Sequence, residues 1–199
     1  MEKRGVAAFD FDGTITRKDT LLEFIKFVKG KSSCYWGVLL YAPLLVAYKL
    51  KLYPNWKVKQ RFFAHFFKGM PYIEFCRWGE CFAARIDSIV NPSVLEKLVQ
   101  HQRQGDETYI VSASVKEWIL PWAQKVGVSH VIATEVEVDS QGVLTGRFST
   151  KNCYGREKVV RFLAQEPCRE SYYLYAYGDS SGDKYMLEFA DRGVWCKKM

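Results

Sequence analysis

Apolar residues fall along this chain in two rhythms. Short continuous runs at residues 6–9, 108–111, 131–134 and 172–177 each stop at small polar or acidic residues, the pattern of buried strands that hand side chains to a loop. Between residues 20 and 89 the rhythm is helical: Leu21, Leu22, Phe24, Ile25, Phe27 and Val28 recur at spacings of three and four. Gly30, Pro43, Pro54 and Pro71 are expected to divide that stretch into several helices. Further helices are predicted at 94–103, from after Ser114 to 125, at 155–165 and at 184–190, with a final short strand at 194–196. Residues 135–138 and 143–148, separated by Asp139-Ser140-Gln141-Gly142, read as a hairpin. Strands alternating with helices imply right-handed crossovers and a parallel sheet covered on both faces, an α/β fold with ligands at the carboxyl ends of the strands. The helical block is then an insertion above that edge, giving a core of 1–18 and 92–199 and a helical cap of 19–91.

Composition changes this picture in two places. The formal charge of +7 is concentrated, because no Asp or Glu occurs between Phe24 and Ile73 while nine Lys and Arg do: Lys26, Lys29, Lys31, Lys49, Lys51, Lys57, Lys59, Arg61 and Lys68. Such a segment suits a phosphorylated substrate, an anionic membrane surface or nucleic acid. Within it, residues 34–48 carry no charge, yet they contain Pro43 and fall short of the roughly 20 apolar residues a spanning helix requires. A buried helical pair or an interfacial segment is expected. No secretory signal is read at residues 1–9. Cys34, Cys76, Cys81, Cys153, Cys168 and Cys196 form no CxxC pair or zinc spacing, so buried, reduced thiols of a cytoplasmic protein are expected. His65, His101 and His130 show no metal-like grouping, and the final segment GVWCKKM carries the last predicted strand with no further predicted element after it on that edge.

The chemistry gathers at the strand ends. Asp10 and Asp12 point to the same side of a strand terminus, where paired carboxylates repel unless a cation or shared proton neutralises them. Hard oxygen donors suit Mg²⁺. Asp179 and Asp183 follow another strand and could complete an oxygen-rich site. Each pair taken alone is equally well read as a helix cap or Asx turn. In order, however, the chain shows DFDGT at 10–14, a strand ending in Ser112, GREK at 155–158 and GDSSGD at 178–183. This set resembles the haloacid dehalogenase superfamily over the whole chain, which implies a Rossmann-like core. The resemblance implies Asp10 as nucleophile, Asp12 as acid and base, and Ser112 with the backbone at Ala113 and Gly13 as phosphate binders. It implies Lys158 as the charge-neutralising lysine that keeps Asp10 ionised, and Asp10, Asp12 (through its carbonyl), Asp179 and Asp183 around Mg²⁺. The acid two residues after the nucleophile marks phosphatases and mutases rather than dehalogenases. Lys158 could also join Arg156 and Glu157 on a solvated helix face, with Lys151 then taking its place.

The helical insertion is similar to the cap of the phosphoserine-phosphatase-like subfamily IB, where Asp19 matches an acidic residue near the substrate entrance; Asp19 equally fits a helix N-cap. The apolar run beside uncompensated lysines is closest in layout to phosphatidylglycerophosphatase C-like members. A lipid head-group phosphate such as phosphatidylglycerophosphate is therefore the expected substrate, with peripheral membrane contact through 34–61 at the inner face. The alternatives are a phosphoserine or other small-metabolite phosphatase, and a non-enzymatic membrane or nucleic-acid binder using Trp36, Tyr41 and Trp56. Such a binder has no use for the aspartate, serine and lysine set, so no nucleic acid is expected as partner.

Overall fold

The computed structural model describes residues 3–50 and 52–196, so Lys51 and the final KKM of the chain lie outside the described residues. Five parallel strands form the central sheet in the order β3-β2-β1-β6-β7, built from β1 (Arg4–Phe9), β2 (Glu107–Val115), β3 (His130–Thr134), β6 (Tyr172–Gly178) and β7 (Arg192–Trp195). A separate antiparallel hairpin pairs β4 (Val136–Val138) with β5 (Leu144–Phe148). Helices cover both faces: α5 (Pro92–Arg103) and α6 (Lys116–Lys125) on one, α7 (Arg156–Gln165) and α8 (Lys184–Phe189) on the other. Strand alternation sorts the core. Ala7 and Phe9 of β1 pack with Leu98 and Trp122, whereas Val6 and Ala8 pack with Phe162 and Met186. Being central, β1 is buried on both faces, and its carboxyl end opens directly beneath the helical insertion.

That insertion comprises α1 (Thr20–Lys29), α2 (Lys31–Lys49), α3 (Asn55–Phe67) and α4 (Tyr72–Asp87). Its interior is aromatic. Phe24 lies 5.2–5.5 Å, centroid to centroid, from Phe67, Phe75 and Phe82, and stacks at 4.7 Å on Trp118 of α6. Among the described residues, backbone hydrogen bonds tie the insertion to the core at two places. Arg17 N–H donates to Ile89 O and Asn91 N–H to Ile15 O, both at 2.8 Å, where the chain leaves and returns. At the α3–α4 link, Gly69, Leu144 and Tyr72 N–H groups bond Leu144, Met70 and Gly142 carbonyls at 2.8–2.9 Å, clasping the β4–β5 hairpin.

Three expectations are corrected. Pro43 does not break the helix, because α2 runs through it as one element. Its ring faces solvent, so the Leu39 carbonyl that loses its N–H partner is on the side where water can satisfy it. The run at 34–48 is thus a single half-exposed helix rather than a buried pair. Strand β2 continues past Val111 to Val115, with a register shift between Ser112 and Val115 that bends the chain at the site. Among the free thiols only Cys34 and Cys153 are buried, while Cys81 and Cys168 are exposed.

Candidate active site

The loop after β1 is held by its neighbours. Asp10 N–H donates to Tyr177 O of β6 at 2.8 Å, fixing the nucleophile candidate's backbone to the sheet. Gly13 has φ +86°, and a β-carbon there would lie 2.5 Å from Asp179 Oδ2, so only glycine lets the two strand-end loops close on each other. Gly178 serves the same end, because a β-carbon would meet Asp183 Cβ at 2.4 Å. Lys158 emerges from the first turn of α7 and is buried, whereas its neighbours Arg156 and Glu157 face outward or sit half-buried. Its ammonium donates to Asp10 Oδ1 at 2.5 Å and to Asp183 Oδ1 at 2.6 Å. Asp183 Oδ2 accepts from Asp179 N–H, Ser180 N–H and Ser180 Oγ at 2.9–3.2 Å, which occupies both oxygens and locks the loop. Asp10, Asp179 and Asp183 each offer an oxygen within 4.8 Å of the others. Thr14 Oγ1 lies 3.3 Å from Asp10 Oδ2 and 3.4 Å from Asp179 Oδ1.

Asp12 turns away from that trio toward the insertion. Its Oδ1 accepts from Thr20 N–H at 2.9 Å and Thr20 Oγ1 at 2.6 Å. Thr20 Oγ1 is itself 3.1 Å from the donating Trp118 Nε1 and 3.0 Å from Ser114 Oγ. Ser112 is buried, and its Oγ accepts from Ser114 N–H at 3.0 Å. The Ala113 carbonyl is claimed by Thr134 Oγ1 at 2.8 Å and, from α3 of the insertion, by Lys59 Nζ at 2.6 Å.

Burial dominates the electrostatics. It pushes the Asp10 carboxyl up to about 7 against the pull of Lys158, with Asp183 and Asp12 adding to the rise. Burial and then Asp19 push Asp12 up to about 6, opposed by Lys59 and the Thr20 bonds. For Lys158 burial acts downward, but Asp10 and Asp183 outweigh it and hold the ammonium well above its ordinary range. At Asp10 burial and Lys158 therefore act in opposition, the low-dielectric setting favouring the acid and the ammonium favouring the carboxylate. A divalent cation among the three carboxylates would tip that balance. The donors at the trio are all carboxylate oxygens, the set that suits Mg²⁺ rather than zinc. Lys59 is drawn down by burial, with Asp12, Asp19 and Asp10 opposing.

These groups line one cavity of about 410 Å³. Asp10, Asp12, Ser112, Ala113, Lys158 and Asp183 lie at the strand-edge side. Asp19 and Lys59 flank it, and Leu21, Leu22, Val38, Leu45, Tyr48, Val58 and Phe62 close it from the insertion. Asp19 lines this cavity, and its Oδ1 also N-caps α1 through Leu22 N–H at 3.1 Å. Lys151 is exposed and outside this cavity. Sequence reasoning did not single out Thr14, Thr20 or Lys59. Thr14 lies inside the DFDGT motif and could have been found there. Lys59 is one cation among nine in its segment, and only its position between the buried Val58 and Phe62 sets it apart.

Residues 7–188 match the family model for haloacid dehalogenase-like hydrolases, and the chain belongs to that family. Protein CicA of Caulobacter vibrioides is 32% identical over 187 residues, covering 94% of this chain and 83% of that protein. A Bordetella pertussis protein of unknown function shares the fold with a TM-score of 0.80 at 22% identity, over 96% of this chain and 89% of the other. A phospho-aspartyl intermediate analogue of phosphoserine phosphatase superposes with a TM-score of 0.65 at 18% identity, covering 95% and 84% of the two chains.

Proposed function

We propose that this chain is a Mg²⁺-dependent phosphomonoester hydrolase acting through an aspartyl phosphate on Asp10, with 1–18 and 92–199 as its core and 19–91 as its cap. The observation that carries this reading is the buried Asp10 carboxylate, held 2.5 Å from Lys158 Nζ at the end of the central strand and grouped with Asp179 and Asp183. Asp10 attacks phosphorus in line, and the ester P–O bond breaks as the P–O bond to Asp10 forms. Asp12, raised into the range where it exchanges protons near neutrality, gives its proton to the departing alkoxide. It then takes a proton from the water that attacks the aspartyl phosphate, releasing inorganic phosphate and restoring Asp10. Ser112 and the backbone at Gly13 and Ala113 receive the phosphoryl oxygens, and Lys158 offsets their charge. Asp10, Asp179 and the Asp12 carbonyl would hold Mg²⁺, which supplies further charge neutralisation at the transferring group. Asp183, with both oxygens engaged by protein donors, orients Lys158 and the Asp179 loop.

The apolar inner surface of the cap favours a lipid phosphate, whose acyl chains supply the apolar surface that its glycerol head group lacks. A second reading, a phosphorylated amino acid such as phosphoserine, is favoured by Asp19 and Lys59 facing the same cavity with opposite charges. Phosphate release should be measured from phosphatidylglycerophosphate in micelles, phosphoserine and sugar phosphates, with Mg²⁺ or EDTA. Turnover that requires Mg²⁺ and drops by at least about a thousandfold in a folded Asp10→Asn variant is expected. Mg²⁺ should also raise the melting temperature of the wild type and not of Asp179→Asn. Activity retained in Asp10→Asn, or no release from any ester by folded protein, would overturn the proposal, and the preferred ester decides between the two substrate readings.

A further inference from the structure

Helix α2 has no polar face. Its inner side is accounted for: Val38, Leu45 and Tyr48 line the active-site cavity, and Cys34 and Gly37 are buried. On the other side Tyr35, Trp36, Leu39, Leu40, Val46 and Leu50 are 55–71% exposed. At about 100° per residue, Trp36, Leu39, Leu40, Pro43 and Leu50 fall on one stripe along the helix. Leu52, 76% exposed, and Trp56, 46% exposed, extend it toward α3. A helix apolar all round belongs in a core or against hydrocarbon, and a stripe of this extent on a water-facing surface is a contact surface. No helix of the described residues is long and apolar enough to cross a membrane.

The charges around the stripe select its occupant. Lys31 and Lys49 end the helix and Lys57 follows Trp56, all exposed. No carboxylate occurs anywhere from Phe24 to Ile73 to pair with them. A two-fold contact between two copies would press these same lysines together with no acid of the segment between them. An anionic bilayer answers both features, hydrocarbon for the stripe and head-group charge for the lysines. We propose that the outer face of α2 docks in the interfacial layer of an anionic membrane, with Trp36, Leu39 and Leu40 at the acyl boundary and Lys31, Lys49 and Lys57 among the head groups. Because α2 also walls the catalytic cavity with its opposite side, docking holds that cavity one helix away from the lipid surface. The docking stands on this geometry alone, and its use to reach a lipid phosphate rests on the phosphatase reading.

The test is co-sedimentation of the full chain with vesicles of phosphatidylcholine alone or mixed with phosphatidylglycerol, at low and high salt. Binding to the mixed vesicles at least about tenfold stronger than to the neutral ones, and weakened by salt, is expected. The double variant Leu39→Asp/Leu40→Asp should lose that binding at least about tenfold while hydrolysing soluble p-nitrophenyl phosphate at the wild-type rate, which shows that it folds. Asp10→Asn should bind vesicles as the wild type does, so loss of chemistry and loss of docking are read separately. Equal binding by the double variant, no preference for anionic vesicles, or sedimentation equilibrium showing a dimer that the double variant dissolves would each overturn the proposal.

Discussion

Lys158 and Lys49 carry the same ammonium in opposite circumstances. Lys158 is buried at the carboxyl edge of the sheet, between Asp10 at 2.5 Å and Asp183 at 2.6 Å. Lys49 ends α2 in solvent, in a stretch of chain that has no acid at all. Hydrophobic side chains divide in the same way. Phe24 is fully buried among aromatic rings, while Leu40, on the neighbouring helix, is 64% exposed. The carboxylates around Lys158 and the aromatic inner half of the insertion find their partners within the molecule. The outer half of the insertion leaves both charge and apolar surface over, and that surplus points to something outside the chain.

Stability measurements can break this contrast. The largest effect is expected from Lys158→Met, which strands two buried carboxylates and should cost about 3–5 kcal/mol in urea unfolding, whereas Lys49→Met should stay within about 0.5 kcal/mol. Similar losses for both would show that the ion cluster is less buried than its geometry says. Phe24→Ala should cost about 3–5 kcal/mol by opening a cavity in the aromatic cluster, against about 0.5 kcal/mol or less for Leu40→Ala. A large loss for Leu40→Ala would mean that the outer stripe is covered within the folded protein.

A smaller effect sharpens the inner boundary. Glu117, in the first turn of α6, has a buried Oε2 without a hydrogen-bond partner, and burial pushes its carboxyl up to about 7 from an ordinary 4.5. The folded state therefore binds this proton more tightly than the unfolded chain does. Stability from this group is full below 4.5 and declines as pH rises toward 7. Glu117→Gln should remove that decline and gain about 1–2 kcal/mol at neutral pH. Parallel stability curves for wild type and variant between those limits would show that Glu117 is hydrated.

Much of the carboxyl edge was legible because its chemistry is local to strand ends. A buried strand can be read from a few consecutive apolar residues, and whatever follows it is delivered to the same edge of a parallel sheet. Asp10, Ser112 and Asp179 were found in that way. Lys158 could be named but not oriented, because a helix start with Arg156, Glu157 and Lys158 does not say which cation turns inward. Contacts that cross between insertion and core were not legible. Thr20 on Asp12 and Lys59 on the Ala113 carbonyl depend on how α1 and α3 lie over the sheet, which no spacing along the chain encodes.

The sequence by itself determined the alternation of strands and helices, the four strand-end motifs and the acid-free segment, because each rests on neighbouring residues and on the periodicity of one element. Only the tertiary structure decided that α2 passes unbroken through Pro43, that Lys59 of the acid-free segment enters the cavity, and that an apolar stripe is left facing outward. Whether an apolar side is buried or bare depends on which surfaces remain after all the helices have packed, a property of the whole assembly of elements and of no single one.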